Sequence, residues 1–126
     1  MNFEKVLFAF FIVFALTLNF GFFIGDPDNI NHHHAMELGG AILVNFIATI
    51  VKFGDRSQLG AVLLATSLVA DLQLLFAAGL WAFVAYVGDG NVVEVLPSIV
   101  SLSGGALLAN LVSVTLLVAE TVTIRR

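Results

Sequence analysis

One carboxylate in this sequence occupies a position where a charge is costly. Asp71 lies near the middle of an apolar run that extends from Leu59 to Val87. Its separation of roughly ten or more residues from each plausible end corresponds to about 15 Å of helix, at about 1.5 Å per residue. Inserting a carboxylate at that depth costs roughly 2.5–3.5 kcal/mol, and intramembrane acids usually mark an ion or proton route. The sequence therefore predicts that Asp71 faces a polar interior and takes part in ion movement.

Amide and hydroxyl side chains could surround this carboxyl group. Asn45 and Asn110 fall near the centres of two other apolar runs. Each of the three polar residues has a hydroxyl residue about one helical turn away on its own face: Thr49, Ser67 and Ser113. Oxygen ligands suit hard cations, so these six residues could form an ion pathway at the bilayer midplane. The alternative interpretation is that the amides and hydroxyls only join helices and that Asp71 is protonated and hydrogen-bonded.

The segment after the first apolar run contains side chains that can bind metal ions. Its imidazoles and carboxylates are Asp26, Asp28, His32, His33, His34 and Glu37. Such groups are ligands for zinc, copper or nickel, so a divalent metal at this loop is one hypothesis. Consecutive residues cannot all converge on one ion, and a pH-responsive patch or a solvated loop are the alternatives. No other cofactor is predicted, because a chain without cysteine has no thiolate to ligate a cluster or attach a haem.

Four apolar runs must position these residues. The chain is 60% hydrophobic and 11% charged, with a mean hydropathy of +1.04, whereas soluble domains carry roughly a quarter charged residues. A bilayer core is crossed by about 20 helical residues. The sequence therefore predicts an all-α membrane protein, a single four-helix transmembrane domain over residues 1–126 with spans at about 6–24, 37–53, 60–87 and 96–119.

The second and fourth runs share a motif. Residues 39–45 read GGAILVN and residues 104–110 read GGALLAN, and the turns at 23–26 and 86–89 are also similar. This similarity suggests two parallel repeated helical hairpins, related by an axis along the membrane normal. Chance similarity between apolar helices is the alternative. If the repeat is genuine, Asn45 and Asn110 face each other across its axis, and the adjacent glycines mark close helix contacts.

The cations predict the orientation of the chain. In a four-span topology all of them fall on one side: Lys5, Lys52, Arg56, Arg125 and Arg126. The loops on the other side contain acidic residues and no Lys or Arg. The positive-inside rule then predicts a bacterial inner membrane protein with both termini in the cytoplasm. Lys52 is expected to extend its ammonium group to the cytoplasmic surface.

The stretch KFGDRSQLG, from Lys52 to Gly60 and on through Asp71, resembles a family of uncharacterised small four-span bacterial inner-membrane proteins. That resemblance implies no activity. No serine elbow, HExxH motif, phosphate-binding loop or dinucleotide fingerprint is present, so an enzyme is not expected. Five scattered cations and a net charge of −4 do not favour nucleic-acid binding.

Two functions are compatible with these features. The first is a homo-oligomeric channel or transporter subunit for a small cation, protons included, with Asp71 as the central charged group. Acidic loops would concentrate cations at its mouth. The second is a non-transporting accessory or scaffold subunit that packs against a larger membrane-protein partner, for which polar contacts and small-residue faces would suffice.

Overall fold

Four long helices account for most of the chain in the computed structural model, which describes residues 3–25 and 29–124. The helices are α1 Phe3–Phe23, α2 Ala35–Lys52, α3 Gln58–Tyr86 and α4 Leu96–Ile124. All four are long and apolar enough to cross a membrane, and the described residues contain no strand. These findings confirm the prediction of an all-α integral membrane protein. Asp26, Asp28, Arg125 and Arg126, which entered the metal and topology predictions, lie outside the described residues.

A polar side chain caps the start of α3, and a glycine turn follows its end. Ser57 Oγ accepts a hydrogen bond of 2.9 Å from Gly60 N and so caps the first turn of α3. Asp55 in turn accepts hydrogen bonds from the backbone N–H of Ser57 at 2.9 Å and from its hydroxyl at 2.8 Å. After α3, Gly90 has a φ of 81°, a left-handed conformation that glycine adopts without steric cost. These turns make the connections between the helices short.

The four helices lie at the corners of a square. Each helix packs against the next one in the chain, and α4 packs against α1, whereas contacts across the diagonals are few. Neighbouring helices are antiparallel, since Glu4 of α1 meets Lys52 of α2 while Leu18 lies near Gly40. One end of the bundle therefore contains Lys52 and the other contains His33, and we name them the Lys52 end and the His33 end. Each helix buries one face in a shared interior.

The interior contains two separate apolar clusters. The cluster towards the His33 end includes Phe22, Leu38, Leu74 and Ile99. The cluster towards the Lys52 end consists of Phe8, Ile12, Ala48 and Leu63, with further half-buried residues around it. Lipid tails are as apolar as these side chains, so close packing, and not hydrophobic transfer, holds such helices together in a bilayer. Polar side chains of α2, α3 and α4 lie between the two clusters.

The glycines of the shared motif differ in their surroundings. The Phe23 ring occupies the space that a Cβ on Gly104 would need, and the Gln73 amide does the same at Gly105. Gly40 lies in ordinary contact with Leu18, but no atom lies near the Cβ position of Gly39. The expectation of close helix contacts is therefore correct for three of these glycines and wrong for Gly39, which faces outward on α2.

Candidate functional site

A polar layer separates the two apolar clusters. We define it by the six side chains that the sequence suggested as an ion pathway: Asn45, Thr49, Ser67, Asp71, Asn110 and Ser113. All six are buried, and the most exposed of them, Asp71, has a relative exposure of 6%. They lie together because residues about one turn apart share a helix face, and α2, α3 and α4 each turn such a face inward. The helical spacing in the sequence thus predicted which side chains share a buried helix face, and their role as an ion pathway stays a prediction.

Both oxygens of Asp71 have partners on α2. Asn45 Nδ2 donates to Asp71 Oδ1 at 2.5 Å and also contacts the Ser67 carbonyl oxygen at 3.2 Å. Thr49 Oγ1 lies 2.6 Å from Asp71 Oδ2 and 3.0 Å from the Asn45 carbonyl oxygen. One amide and one hydroxyl, a single turn apart on α2, therefore hold the carboxyl group of α3. No basic side chain among the described residues pairs with it.

Asn110 lies at the same depth but makes different contacts. Towards the His33 end the Gln73 amide lies against Gly105, and towards the Lys52 end Thr66 Oγ1 is 2.5 Å from Ser113 Oγ. Asn110 lies between these two contacts, opposite the segment of α3 that contains the carboxyl group. Neither its Nδ2 nor its Oδ1 has a hydrogen-bond partner in the described part of the chain. The two asparagines of the shared motif thus have different surroundings, and no hydrogen bond joins them.

Further polar atoms of the interior are also without a partner among the described residues. They are Asn45 Oδ1, Ser67 Oγ and both side-chain heteroatoms of Asn19. An unpaired buried polar group costs about 1–3 kcal/mol, and ordered water usually satisfies such groups in proteins. The oxygen atoms of the layer can therefore accept hydrogen bonds from water or coordinate a small cation.

Sequence reasoning missed two polar residues of the interior. Asn19 is fully buried on α1, nearer the His33 end. Thr66, beside Ser67, turns towards α4 and contacts Ser113 there. In both cases the signal was a polar residue within an apolar run, which in a membrane helix usually faces the bundle.

Lys52 forms a second buried charged site, at the end of α2. Its side chain is 1% exposed, and its Nζ lies 2.8 Å from Glu4 Oε1 and 3.3 Å from Asp55 Oδ2. The ammonium group also lies 4.5 Å from the centroid of the Phe8 ring, a cation–π contact. We call these four residues the Lys52 cluster. The expectation that Lys52 extends to the surface is therefore wrong, because two carboxylates and an aromatic ring stabilise its charge inside the protein.

Asp55 joins this cluster to the start of α3, outside the membrane-spanning helices. The backbone N–H of Ser57, and then its hydroxyl, stabilise the carboxylate and lower the pKa of Asp55. Burial opposes them, and the Lys52 ammonium adds the smallest lowering effects. A cleft of about 430 Å³ opens beside it, lined by Glu4, Lys5, Asp55, Arg56 and Glu120 among others. Within the cleft, Lys5 and Glu120 form an ion pair of 3.0 Å between α1 and α4. Alternating charges therefore surround the Lys52 end.

The candidate metal ligands lie in separate environments. The ring of His33 is buried against Phe22, with Nδ1 2.5 Å from the Phe22 carbonyl oxygen. His34 is exposed at the start of α2, and Glu37 lies beside Gly21 of α1. Among the described residues no three His, Asp or Glu side chains form a group that could hold a metal ion. Asp26, Asp28 and the His32 side chain lie outside this description, so a metal at this loop stays a prediction.

A comparison with known proteins places the chain in a family. Residues 32–121 match the model described as Family of unknown function (DUF6394). The chain belongs to this family. The match covers the complete polar layer, together with Lys52 and Asp55, and it includes the stretch on which the resemblance to an uncharacterised family was based. No curated protein matches the chain, and no solved structure does. The description of the family names no activity, so a functional proposal depends on the geometry of the site.

Proposed function

We propose that this membrane protein is a subunit of a channel or transporter for a small cation, protons included, and that Asp71 is its central ion-binding group. The observation that carries the proposal is a carboxyl group in the middle of the bundle, paired with no cation among the described residues. Lys5 and Lys52 contact other carboxylates, Glu120 and Glu4. A buried acid without a resident cation must hold a proton or attract a mobile ion.

The surroundings of Asp71 support ion binding over simple bracing. Helices joined only by polar contacts would be expected to use all the hydrogen-bonding capacity that they bury. Here Asn45 Oδ1, Ser67 Oγ and Asn110 Oδ1 keep unused acceptor capacity within the same layer. Oxygen atoms of this kind serve as ligands for hard cations and as partners for ordered water.

The proposal includes an assembly and an orientation. The apolar clusters on either side of the polar layer leave little room for an aqueous path through one bundle, so we propose that a homo-oligomer forms the conducting unit. We also propose an inner-membrane location with the Lys52 end in the cytoplasm. Lys5, Lys52 and Arg56 support this orientation because all three lie at that end, while Asp89 and Glu94 lie near the other.

Flux through the purified protein in lipid vesicles tests the proposal. Uptake of protons, Na⁺ and K⁺ is measured separately for the parent protein and for Asp71→Asn, which keeps the shape of the protonated acid but cannot carry a charge. The variant should assemble normally and lose flux. Asp89→Asn is the matched control, since it makes the same substitution at an exposed carboxylate of a loop.

Two results would contradict the proposal. If the folded parent protein carries none of these cations, and a fixed membrane partner co-purifies with it, the chain is an accessory subunit. If the parent conducts and Asp71→Asn conducts equally well, Asp71 only braces α2 against α3.

A further inference from the structure

We infer that the species held at Asp71 is a proton and not a metal cation. The inference rests on the proposed function and names the substrate of the same site. Two features carry it: the number of hydrogens available at Thr49, and the contacts of the Asn45 amide on the other side of the carboxyl group.

The contacts of Thr49 indicate where a proton lies. Its Oγ1 is within hydrogen-bond distance of two acceptors, Asp71 Oδ2 at 2.6 Å and the Asn45 carbonyl oxygen at 3.0 Å. A hydroxyl group has one hydrogen, and neither a carbonyl nor a carboxylate oxygen can donate one. Both contacts are separate two-centre hydrogen bonds at the same time only if Asp71 carries a proton. The protonated carboxyl then donates to Thr49, and Thr49 donates to the carbonyl of Asn45.

The other side of the carboxyl group agrees with this assignment. Asn45 Nδ2 has two hydrogens, one directed to Asp71 Oδ1 and one to the Ser67 carbonyl oxygen. With a proton on Oδ2, every polar atom of the Asp71 and Thr49 side chains has a partner of the correct kind. A metal ion on the carboxylate would compete with Asn45 and Thr49 for the same lone pairs. The observed arrangement therefore suits a proton better than a metal cation.

The same groups also suit the deprotonated state. When the O–H bond of Asp71 breaks, the proton passes to a neighbouring water and the electron pair stays on Oδ2. Thr49 can then rotate its hydrogen from the Asn45 carbonyl to the charged carboxylate, while Asn45 Nδ2 continues to donate to Oδ1. Thr49 therefore acts as a positioning residue that stabilises either protonation state, as reversible proton binding requires.

The experiment measures protons and Na⁺ separately in vesicles that contain the purified protein. An enclosed pH-sensitive dye reports protons, radioactive Na⁺ reports metal cations, and a K⁺ gradient with valinomycin sets the membrane potential. The parent protein should carry protons, with Na⁺ uptake no higher than in protein-free vesicles. Asp71→Asn, which has no exchangeable carboxyl proton, should lose the proton uptake, whereas Asp89→Asn, at an exposed carboxylate of a loop, should keep it.

Each result has a separate consequence. Equal transport of Na⁺ and protons by the parent would overturn the inference and leave the transport proposal intact. Absence of all flux would remove the transport proposal itself.

The proton assignment also has a readout that does not depend on flux. Infrared spectra of the parent protein minus those of Asp71→Asn at neutral pH should contain the carbonyl stretch of a protonated carboxylic acid. Thr49→Val should shift that band, because it removes the acceptor of the Asp71 proton, and Thr49→Ser should restore it. A difference spectrum with only carboxylate bands at neutral pH would show that Asp71 is charged and would contradict the inference.

Discussion

Asp71 and Lys52 are both ionisable side chains enclosed by this bundle, but different groups stabilise them. Lys52 has two carboxylates and an aromatic ring around its ammonium group. Asp71 has an amide and a hydroxyl, neither of which carries a charge. Opposite charges hold a group in its ionised form, whereas a hydroxyl can donate or accept and so tolerates both protonation states. The contacts of Lys52 are those of a structural ion pair, whereas the contacts of Asp71 agree with our proposal that it exchanges a proton.

Removing the Lys52 charge should have the largest effect on stability. Loss of one partner from a buried ion pair costs roughly 3–5 kcal/mol, and the lower end of that range applies because the side chain of Glu4 remains 37% exposed. We expect Lys52→Met to lower the free energy of unfolding by about 3 kcal/mol, measured by denaturation in detergent micelles. Lys5→Met, which removes a more exposed pair, should cost about 1 kcal/mol or less. Equal costs would show that burial does not distinguish the two lysines.

Substitutions of Asp71 should distinguish the contribution of its shape to stability from the contribution of its charge. Asp71→Leu leaves the Asn45 amide and the Thr49 hydroxyl without their partner and should cost about 1–3 kcal/mol. Asp71→Asn preserves the size and most of the hydrogen bonds, so its unfolding free energy should change by less than about 1 kcal/mol. The same micelle denaturation measures both. If Asp71→Asn is as damaging as Lys52→Met, the carboxyl group is held as a charge and the contrast with Lys52 fails.

The two asparagines of the polar layer should respond differently. Asn45→Leu removes a donor to the carboxyl group and to a backbone carbonyl, and should cost about 2 kcal/mol. Asn110→Leu removes an amide that has no protein partner among the described residues and should change stability by about 1 kcal/mol or less. A double-mutant cycle completes the measurement. Energies that add within about 0.5 kcal/mol are expected, and stronger coupling would reveal a shared water or ion between them.

The smallest expected effect is a loss of stability at acid pH, which comes from Asp55 at the Lys52 end. The pKa of Asp55 is lower in the folded protein than in the unfolded chain, so its carboxylate form stabilises the fold at a pH above the pKa of the unfolded chain. This stabilisation is lost as the pH falls through the pKa of the folded protein. The melting temperature should therefore decrease between about pH 5 and about pH 2, and less steeply in Asp55→Asn than in the parent. Asp89→Asn serves as the control substitution. Identical pH profiles for the parent and Asp55→Asn would contradict this role.

Part of the site could be identified without the fold. The spacing of Asp71 with Ser67, and of Asn45 with Thr49, predicted which side chains share a helix face, because that property depends only on helical geometry. The hydrogen bonds from Asn45 and Thr49 of α2 to Asp71 of α3 could not be predicted, since they depend on how the two helices are rotated against each other. The same holds for Thr66 and Ser113, which are distant in sequence and meet only because α3 packs against α4.

The sequence by itself determined the class of protein, the existence of four membrane-spanning helices and the depth of Asp71, because hydropathy and helical rise are local properties of a chain. Tertiary structure alone decided that Lys52 is buried, since its partner Glu4 is brought to it by the packing of α1 on α2. It also decided that Asn45 reaches the carboxyl group while Asn110, in the matching motif, does not. Both outcomes depend on the relative rotation of packed helices, which close packing of all the side chains determines together and no short segment encodes.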